Sequence, residues 1–172
     1  MVKIFLLVVL FFNCTAGLAQ LSAQAKQIAA ACKFIDKDSS LQKKIYEQEE
    51  FMDHVTDNGA SLTFYHKNGT VHRITEWIGL SGNAIIIDYY FKAGKLIYVR
   101  NEELVYERNA KGETTGKFSK DDRFLGQYFF RNDQLFDAES LGHNRFEDDE
   151  QHDAEKEFIA SAKKYLSIFM KQ

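Results

Sequence analysis

Two histidines and two carboxylates are the residues of this chain whose types and spacing suggest catalysis. His66 and His72 flank the turn Asn68-Gly69, Glu76 lies further along the strand of His72, and Asp88 lies on the next predicted strand. An imidazole beside a carboxylate can perform the general acid–base chemistry of a hydrolase. The spacing therefore allows one catalytic hypothesis, in which His72 works with Glu76 or Asp88.

The motifs that usually hold a nucleophile or a metal do not occur. The sequence has no Gly-x-Ser-x-Gly elbow, Gly-rich phosphate loop, Cys-x-x-Cys pair or His-Glu-x-x-His helix. A metal site at His66 and His72 would need a third ligand, and Glu76 lies roughly 13 Å beyond His72 along an extended strand. The acidic run 147–150 lacks the spacing of a calcium loop. We therefore predict no catalytic residues, no metal and no cofactor.

The first 19 residues have the three parts of a secretory signal. Lys3 is the charged start, residues 4–12 are continuously apolar, and residues 17–19 form a small-x-small cleavage site. The apolar run is shorter than the roughly 20 residues that a helical membrane span needs. We predict that residues 1–19 are removed and that the protein is periplasmic or secreted, with no span in the mature chain. A retained membrane anchor and a lipoprotein attached at Cys14 are the alternatives.

Residues 20–172 have the length of one globular domain. The net charge of −3 argues against a nucleic-acid partner, which needs a basic face. Only Cys32 would remain after cleavage, so no intramolecular disulfide is expected, and its apolar surroundings favour a buried thiol over a reactive one. The 15 Phe and 8 Tyr must therefore supply much of the core.

Three segments repeat an aromatic pair, a tight turn and a returning strand. They are residues 65–71, 90–96 and 129–135. The first contains Asn68-Gly69, the strongest short-range signal for a β-hairpin. Aligning the copies predicts three hairpins and thus an antiparallel meander of about six strands over residues 60–139.

The turns admit two geometries, which differ in where they place the histidines. A two-residue turn at Asn68-Gly69 pairs His66 with Val71 and puts the two imidazoles on opposite faces of the sheet. A three-residue turn would bring them onto the same face. Ala93 stands in the place of Asn68 in the second copy and disfavours a positive φ, which favours the three-residue form there.

Apolar residues at helical spacing predict helical segments before and after the sheet in the sequence. The N-terminal helical region covers residues 20–52, with a first helix at 21–35 and a second at 41–50, either separate or continuous with the first through a kink. The polar segment 109–122 is predicted to be a loop. The C-terminal amphipathic helix, at 147–171, carries an apolar stripe of Phe158, Ile159, Ala162, Tyr165, Leu166, Phe169 and Met170. The predicted class is α+β.

The second hairpin also carries a resemblance. Residues 89–96 read Tyr-Tyr-Phe-Lys-Ala-Gly-Lys-Leu, and this resembles a group of uncharacterised exported bacterial proteins with Tyr-Tyr-Phe-x-x-Gly-Lys-Leu hairpins. In that group the hairpins follow a signal peptide and an N-terminal helical region. The third copy departs from the pattern, with Asp133 and Gln134 in place of Gly and Lys. The resemblance covers residues 59–139 and implies no activity. A looser similarity to MORN-type repeats conflicts with the unequal spacing of the copies.

Aromatic residues on the strands are the candidates for binding. Because alternate residues of a strand point to opposite faces, helices can cover one face and leave aromatic side chains accessible on the other. We predict an exported, non-catalytic binding protein for a protein partner or a small apolar ligand. The alternative is the small periplasmic hydrolase with a His/carboxylate pair, and a closed cluster of these groups in a cleft would favour it. The candidate ligand-binding residues are Tyr65, Trp77, Tyr90, Tyr98 and Tyr128.

Overall fold

The structure, a computed structural model, describes residues 21–142 and 153–171. Within them, one seven-stranded antiparallel sheet pairs each strand only with its neighbours in the sequence, and one helix lies at each end of the order. The elements are α1 (Ala23–Lys37), β1 (Gln42–Glu47), β2 (Ala60–Lys67), β3 (Thr70–Gly79), β4 (Asn83–Lys92), β5 (Lys95–Arg108), β6 (Thr114–Arg131), β7 (Gln134–Leu141) and α2 (Ala154–Met170). The predicted α+β class and antiparallel meander are therefore confirmed, with seven strands instead of about six.

Helix α1 crosses the strands of the sheet. The Ser22 hydroxyl caps it by accepting from the Ala25 amide at 3.2 Å, and the Ser22 amide donates to Asp137 on β7 at 2.8 Å. At the other end of α1, Asp36 pairs with Arg73 on β3. These two contacts place α1 over the end of the sheet that carries the three repeated hairpin turns.

The two helices pack on opposite faces of the sheet, and adjacent aromatic residues supply both cores. Tyr89 faces α2 and Tyr90 faces α1, and in the same way Phe130 faces α2 and Phe129 faces α1. This follows from the alternation of side chains along a strand. We call the two sides the α1 face and the α2 face. Cys32 lies in the core beneath α1, and burial raises the pKa of its thiol to about 12.

The three repeated hairpins share one geometry. In each, two residues with positive φ form the turn. The strand pairing shifts register between the third and the second residue before the turn. Ala93 has φ 51° and Gly94 φ 74°, while Lys92 pairs with Lys95. The expected three-residue turn at the second copy was therefore wrong. The twist of two-residue turns of this kind matches that of the strands, and this outweighs the local preference of one alanine.

Residues 41–50, predicted as a second helix, instead form β1 and a 3-10 turn at Gln48–Glu50. Only Tyr46 of β1 is buried, so the segment lacks the apolar alternation that identifies most strands. Its exposed charges are typical of an edge strand, where they discourage pairing with another chain. The helical region therefore ends with α1.

Segment 109–122, predicted as a loop, is largely a continuation of the sheet. Strands β5 and β6 extend into a ribbon in which Tyr106 pairs with Phe118, with ring centroids 4.7 Å apart, and Arg108 pairs with Thr114. The segment is polar because solvent surrounds most of the ribbon. Polarity alone does not separate an exposed strand from a loop.

The predicted C-terminal helix is present as α2. The Asp153 carboxylate caps it by accepting from the Lys156 amide at 3.1 Å. Six of the seven stripe residues pack against the sheet, but Met170 is 75% exposed. The acidic run 147–150 and the predicted signal at 1–19 lie outside the described residues.

Candidate functional site

Much of the α1 face lies beyond the reach of its helix. Helix α1 covers Tyr90, Tyr98 and Phe129 near the turns. Two further rows of residues, aligned across the strands by their pairing, follow on the same face. We call them the Asp88 row and the Trp77 row, and apart from Asp88 itself their members are at least partly exposed. The first contains Ile45, Thr63, Thr75, Asp88, Arg100 and Gln127, and the second Glu47, Ser61, Trp77, Ile86, Glu102 and Leu125.

Asp88 is the centre of a network of ions and hydrogen bonds. It is 3% exposed, accepts from the Thr75 hydroxyl at 2.5 Å and pairs with the Arg100 guanidinium at 2.7 Å. The Arg73 Nε atom lies 4.0 Å from Asp88 Oδ1, the oxygen that accepts from Thr75, and Arg100 also reaches Glu102 at 3.3 Å. Because the Thr75 hydroxyl and the Arg100 guanidinium engage both oxygens of this buried carboxylate, the network has a structural role.

Arg73 connects this network to α1. Its Nη1 atom lies 2.5 Å from Asp36, which also accepts from the Tyr90 hydroxyl at 2.8 Å. The guanidinium stacks over the Tyr65 ring, 3.8 Å from its centroid. Burial and the neighbouring carboxylates raise the pKa of Tyr90, so its hydroxyl stays a hydrogen-bond donor. Tyr65 and Tyr90 thus hold α1 on the sheet.

The histidines of the catalytic hypothesis lie on opposite faces. His66 pairs with Val71 and contacts Phe169 of α2, with ring centroids 5.0 Å apart. His72 lies on the α1 face near Asp38, whose pKa is lowered mainly by the hydrogen bonds from Ser40. Within the described residues, no group of three or more His, Cys, Asp or Glu side chains is arranged to hold a metal ion.

Glu76 is buried beneath α2, on the face away from His72. It is 6% exposed and accepts hydrogen bonds from the Tyr165 hydroxyl at 2.6 Å and the Tyr89 hydroxyl at 3.0 Å. Burial raises the pKa of its carboxyl group. In the part of the chain that the structure describes, neither Glu76 nor Asp88 forms a hydrogen bond with His72, so the closed pair that a hydrolase would need is not assembled.

Trp77 lies flat on the sheet because of the glycine two residues later. A Cβ atom at Gly79 would lie 2.6 Å from the indole Cη2 and 2.7 Å from the Asn58 Cβ, closer than atoms can approach. Residues i and i+2 of a strand share a face, so the missing side chain leaves room for the indole to lie over the backbone. One side of the indole thus packs on the sheet, and the residue stays partly exposed.

Trp77 contributes to an open cleft of about 550 Å³ between β1–β3 and the segment 48–59, which we call the Trp77 cleft. Ile45 and Val55, which are 58% and 85% exposed, also line it. Its charged lining residues are Glu47 and Glu49, and no basic residue is among the described residues that line it. The cleft therefore combines an aromatic surface, apolar side chains and negative charge.

Hydrogen bonds fix the wall of the Trp77 cleft. The buried Gln48 amide donates to the His54 carbonyl at 3.0 Å and accepts from the Thr56 hydroxyl at 3.0 Å. The Asn58 side chain donates to the Leu80 carbonyl at 2.7 Å, and Asp57 accepts from the Ser81 hydroxyl. This wall does not depend on a ligand, so the cleft is pre-formed and a ligand need not order it.

The five predicted binding residues do not form one surface. Tyr65, Trp77, Tyr90 and Tyr98 lie on the α1 face, but Tyr90 and Tyr98 are 1% and 5% exposed beneath the helix. Tyr128 lies on the α2 face, 4.8 Å from the Phe158 ring. Of the five, Trp77 alone lines the cleft that bears its name.

Sequence reasoning missed Ile45, Val55 and Glu49, which are among the exposed residues that line the cleft with Trp77. A signal was present in the sequence: Trp77 and Gly79 are spaced to share a strand face, which indicates an aromatic ring lying over a glycine. Nothing comparable marks the other three, because β1 and the loop after it gave no recognisable pattern.

Comparison with protein-family models, with curated proteins and with solved structures finds no match. The resemblance of residues 59–139 to exported bacterial proteins therefore stays a prediction, and the function has to be argued from the chain's own residues. Across residues 21–142 and 153–171, no helix has the length and apolar character needed to cross a membrane.

Proposed function

We propose that the chain is an exported, non-catalytic binding protein that engages a basic protein partner at the Trp77 cleft. The observation that carries the proposal is the indole lying flat over Gly79 in an open, pre-formed cleft whose charged lining residues are Glu47 and Glu49. A Lys or Arg side chain of the partner fits this chemistry. The amino-terminal signal pattern at residues 1–19 supports export.

Several interactions would favour such a side chain. A cation over a tryptophan face contributes about 0.5–1 kcal/mol at exposed sites and about 2 kcal/mol when water is removed. Glu49 adds a charge partner at the rim, and Ile45 and Val55 can pack on the aliphatic stem. Tryptophan and arginine are also enriched among the residues that dominate protein–protein affinity. The cleft is open and partly polar, so it suits a protruding side chain better than an enclosed apolar ligand.

The chain contains a single tryptophan, so its fluorescence reports directly on this cleft. We would titrate purified residues 20–172 with a short amidated peptide carrying Lys and Arg between leucines, and with the same peptide carrying two Glu instead. The expected result is a saturable change in Trp77 emission with the basic peptide only. Raising the salt concentration should weaken the binding, because charges at an exposed rim are screened.

Charge reversal at the rim tests the assignment. Glu49→Lys should weaken binding of the basic peptide at least tenfold, whereas Glu107→Lys, an equal change of charge on exposed β5, should not. Val55→Arg should block the cleft without affecting folding, since Val55 is 85% exposed. Equal affinity for the basic and acidic peptides, or an equal loss in both charge variants, would refute the proposal.

A further inference from the structure

A second cleft, of about 530 Å³, lies at the other end of the α1 face, between α1 and the turns of the second and third hairpins. We call it the turn cleft. Three cations line it, Lys92, Lys95 and Arg131, and none of the described lining residues is acidic. Its accessible apolar side chains are those of Ile28, Ala31, Ala93 and Ile97, while Leu96 and Phe130 border it with side chains that are buried on the α2 face. Although the net charge of the chain is −3, the charged residues among the described lining of this cleft are all positive.

The two lysines of this cleft repel each other. Lys92 and Lys95 are directly opposite in the pairing of β4 with β5, and like charges in that position destabilise a hairpin. In the third hairpin, by contrast, Asp133 pairs with Lys163 of α2 at 3.2 Å. No ion pair to Lys92 or Lys95 is present within the described part of the chain. An anion between them would remove the repulsion.

Ala93 is strained at the same place. It lines the cleft with a φ of 51°, whereas Asn68 and Asn132 occupy the equivalent positions of the other two turns. The left-handed conformation is sterically unfavourable for alanine, and asparagine tolerates it better. Backbone strain of this kind often marks binding sites. The second hairpin thus carries both a charge repulsion and a strained residue beside one cleft.

Arg131 is oriented for an anion. Its guanidinium donates to the Gln24 side chain of α1 and stacks over the Phe136 ring, 4.8 Å from the centroid. A guanidinium held in this way offers its remaining donors in a fixed plane, which suits the two oxygens of a carboxylate or phosphate. Ile28 and Ile97 lie beside these charges and suit an aliphatic chain.

We infer that the turn cleft binds an amphiphile with one acyl or alkyl chain and an anionic head, either a carboxylate or a phosphate. The head lies among Lys92, Lys95 and Arg131, and the chain lies along the apolar lining. The volume falls within the roughly 300–1,000 Å³ of small-ligand sites. This site is separate from the Trp77 cleft, with which it shares no lining residue.

The test is calorimetric titration of residues 20–172 with dodecyl phosphate and with sodium dodecanoate, both below their micelle concentrations. Uncharged dodecyl maltoside and inorganic phosphate serve as the comparison ligands. We expect saturable one-to-one binding of at least one anionic amphiphile, at least tenfold tighter than either comparison ligand. Tighter binding of dodecyl phosphate indicates a phospholipid-type head, and tighter binding of dodecanoate indicates a fatty acid.

Matched variants locate the site. Lys92→Gln with Lys95→Gln should weaken binding at least tenfold, while Lys117→Gln with Lys120→Gln, an equal change of charge on exposed β6, should not. Ala31→Trp should fill the cleft from the exposed side of α1 and block binding while leaving the melting temperature unchanged. The inference fails if neither amphiphile binds with a Kd below about 1 mM. It also fails if dodecyl maltoside binds equally well, or if the two double lysine variants lose the same affinity. The basic-peptide titration at Trp77 is a separate readout, so either proposal can fail without the other.

Discussion

The Trp77 cleft and the turn cleft lie at opposite ends of the strands and have opposite charges. The first has a wall fixed by the amide of Gln48 and carries Glu47 and Glu49, while the second lies between repeated turns and carries three cations. The difference teaches that the small net charge of the chain is an average over two separated regions. A composition argument can exclude a basic protein as a whole, but it cannot exclude a basic site.

Between the two clefts lies the network around Asp88, which connects α1 to the open rows of the sheet. The two clefts therefore share this network as a common scaffold. Changes in the network should affect both clefts, whereas changes beside one cleft should affect that cleft alone.

The largest effect is expected from Asp88→Ala. Removing Asp88 takes away the buried carboxylate that Arg73 and Arg100 share, although Arg73 keeps Asp36 and Arg100 keeps Glu102. Breaking a buried ion pair costs about 3–5 kcal/mol, and we expect about 3 kcal/mol here because Arg100 is 36% exposed. Urea unfolding measures the loss. Asp133→Ala, which removes the exposed pair with Lys163, should change the free energy of unfolding by less than about 1 kcal/mol. Similar losses in the two variants would contradict the structural role of the network.

The next-largest effect should change binding at the Trp77 cleft and leave binding at the turn cleft unchanged. Gly79→Ala introduces a Cβ atom 2.6 Å from the Trp77 indole, so the ring must tilt, at a cost of about 1–3 kcal/mol. We expect the variant to lose affinity for the basic peptide and to keep its affinity for the anionic amphiphile. Gly82→Ala, where the nearest atom to an added Cβ is 3.6 Å away, is the matched control. Parallel losses at both clefts would show that they are not independent.

A pH-dependent effect should leave both clefts unchanged. Burial raises the folded-state pKa of Glu76 above its ordinary value of 4.5, so its contribution to stability is fully present below about pH 4.5 and is lost as the pH rises through the raised pKa. Glu76→Gln should therefore melt a few degrees higher than the parent at pH 8, and the difference should shrink towards pH 4. A melting-temperature series at constant ionic strength measures this. If the difference in melting temperature instead grew towards acid pH, the pKa of Glu76 would be lowered by folding, not raised.

The smallest effect concerns the turns. Ala93→Gly should stabilise the protein by about 0.5–1 kcal/mol, because glycine adopts a positive φ without steric conflict but has a more flexible unfolded state. Ala110→Gly should not stabilise, because Ala110 itself has no positive φ; in the ribbon turn Gly112 has it instead. The midpoints of urea unfolding measure the change in each variant, provided that the dependence of the unfolding free energy on urea concentration stays the same. If Ala93→Gly also kept full affinity for the amphiphile, strain at Ala93 would be shown to be unnecessary for binding.

The repeated hairpins were predictable because their information is local. An aromatic pair, a two-residue turn and a returning strand are specified within about seven residues, and α2 is specified by its own apolar stripe. Strand β1 was not predictable in this way, since Tyr46 is its only buried residue and its identity depends on pairing with β2. The turn geometry at Ala93 was also missed, because strand twist outweighed the preference of a single residue.

The candidate sites were less predictable than the fold. Alternation along strands correctly implies that Tyr89 and Tyr90 face opposite ways, but it does not say which aromatic residues a helix will cover. Tyr90 and Tyr98 lie beneath α1 as a result, and Trp77 is left outside it. The turn cleft combines α1 with two hairpins that are distant in the sequence, so no local pattern could indicate it.

The meander order has a consequence for how the chain acquires its structure. Because each strand of the described sheet pairs only with its neighbours in the sequence, most of this sheet forms by closing short loops, which favours fast folding for a β-rich protein. Successive hairpins can form in the order in which the chain is synthesised. Helix α1 precedes the strands, but the contact of the Ser22 amide with Asp137 requires β7, so the turn cleft is complete only when this last strand has paired.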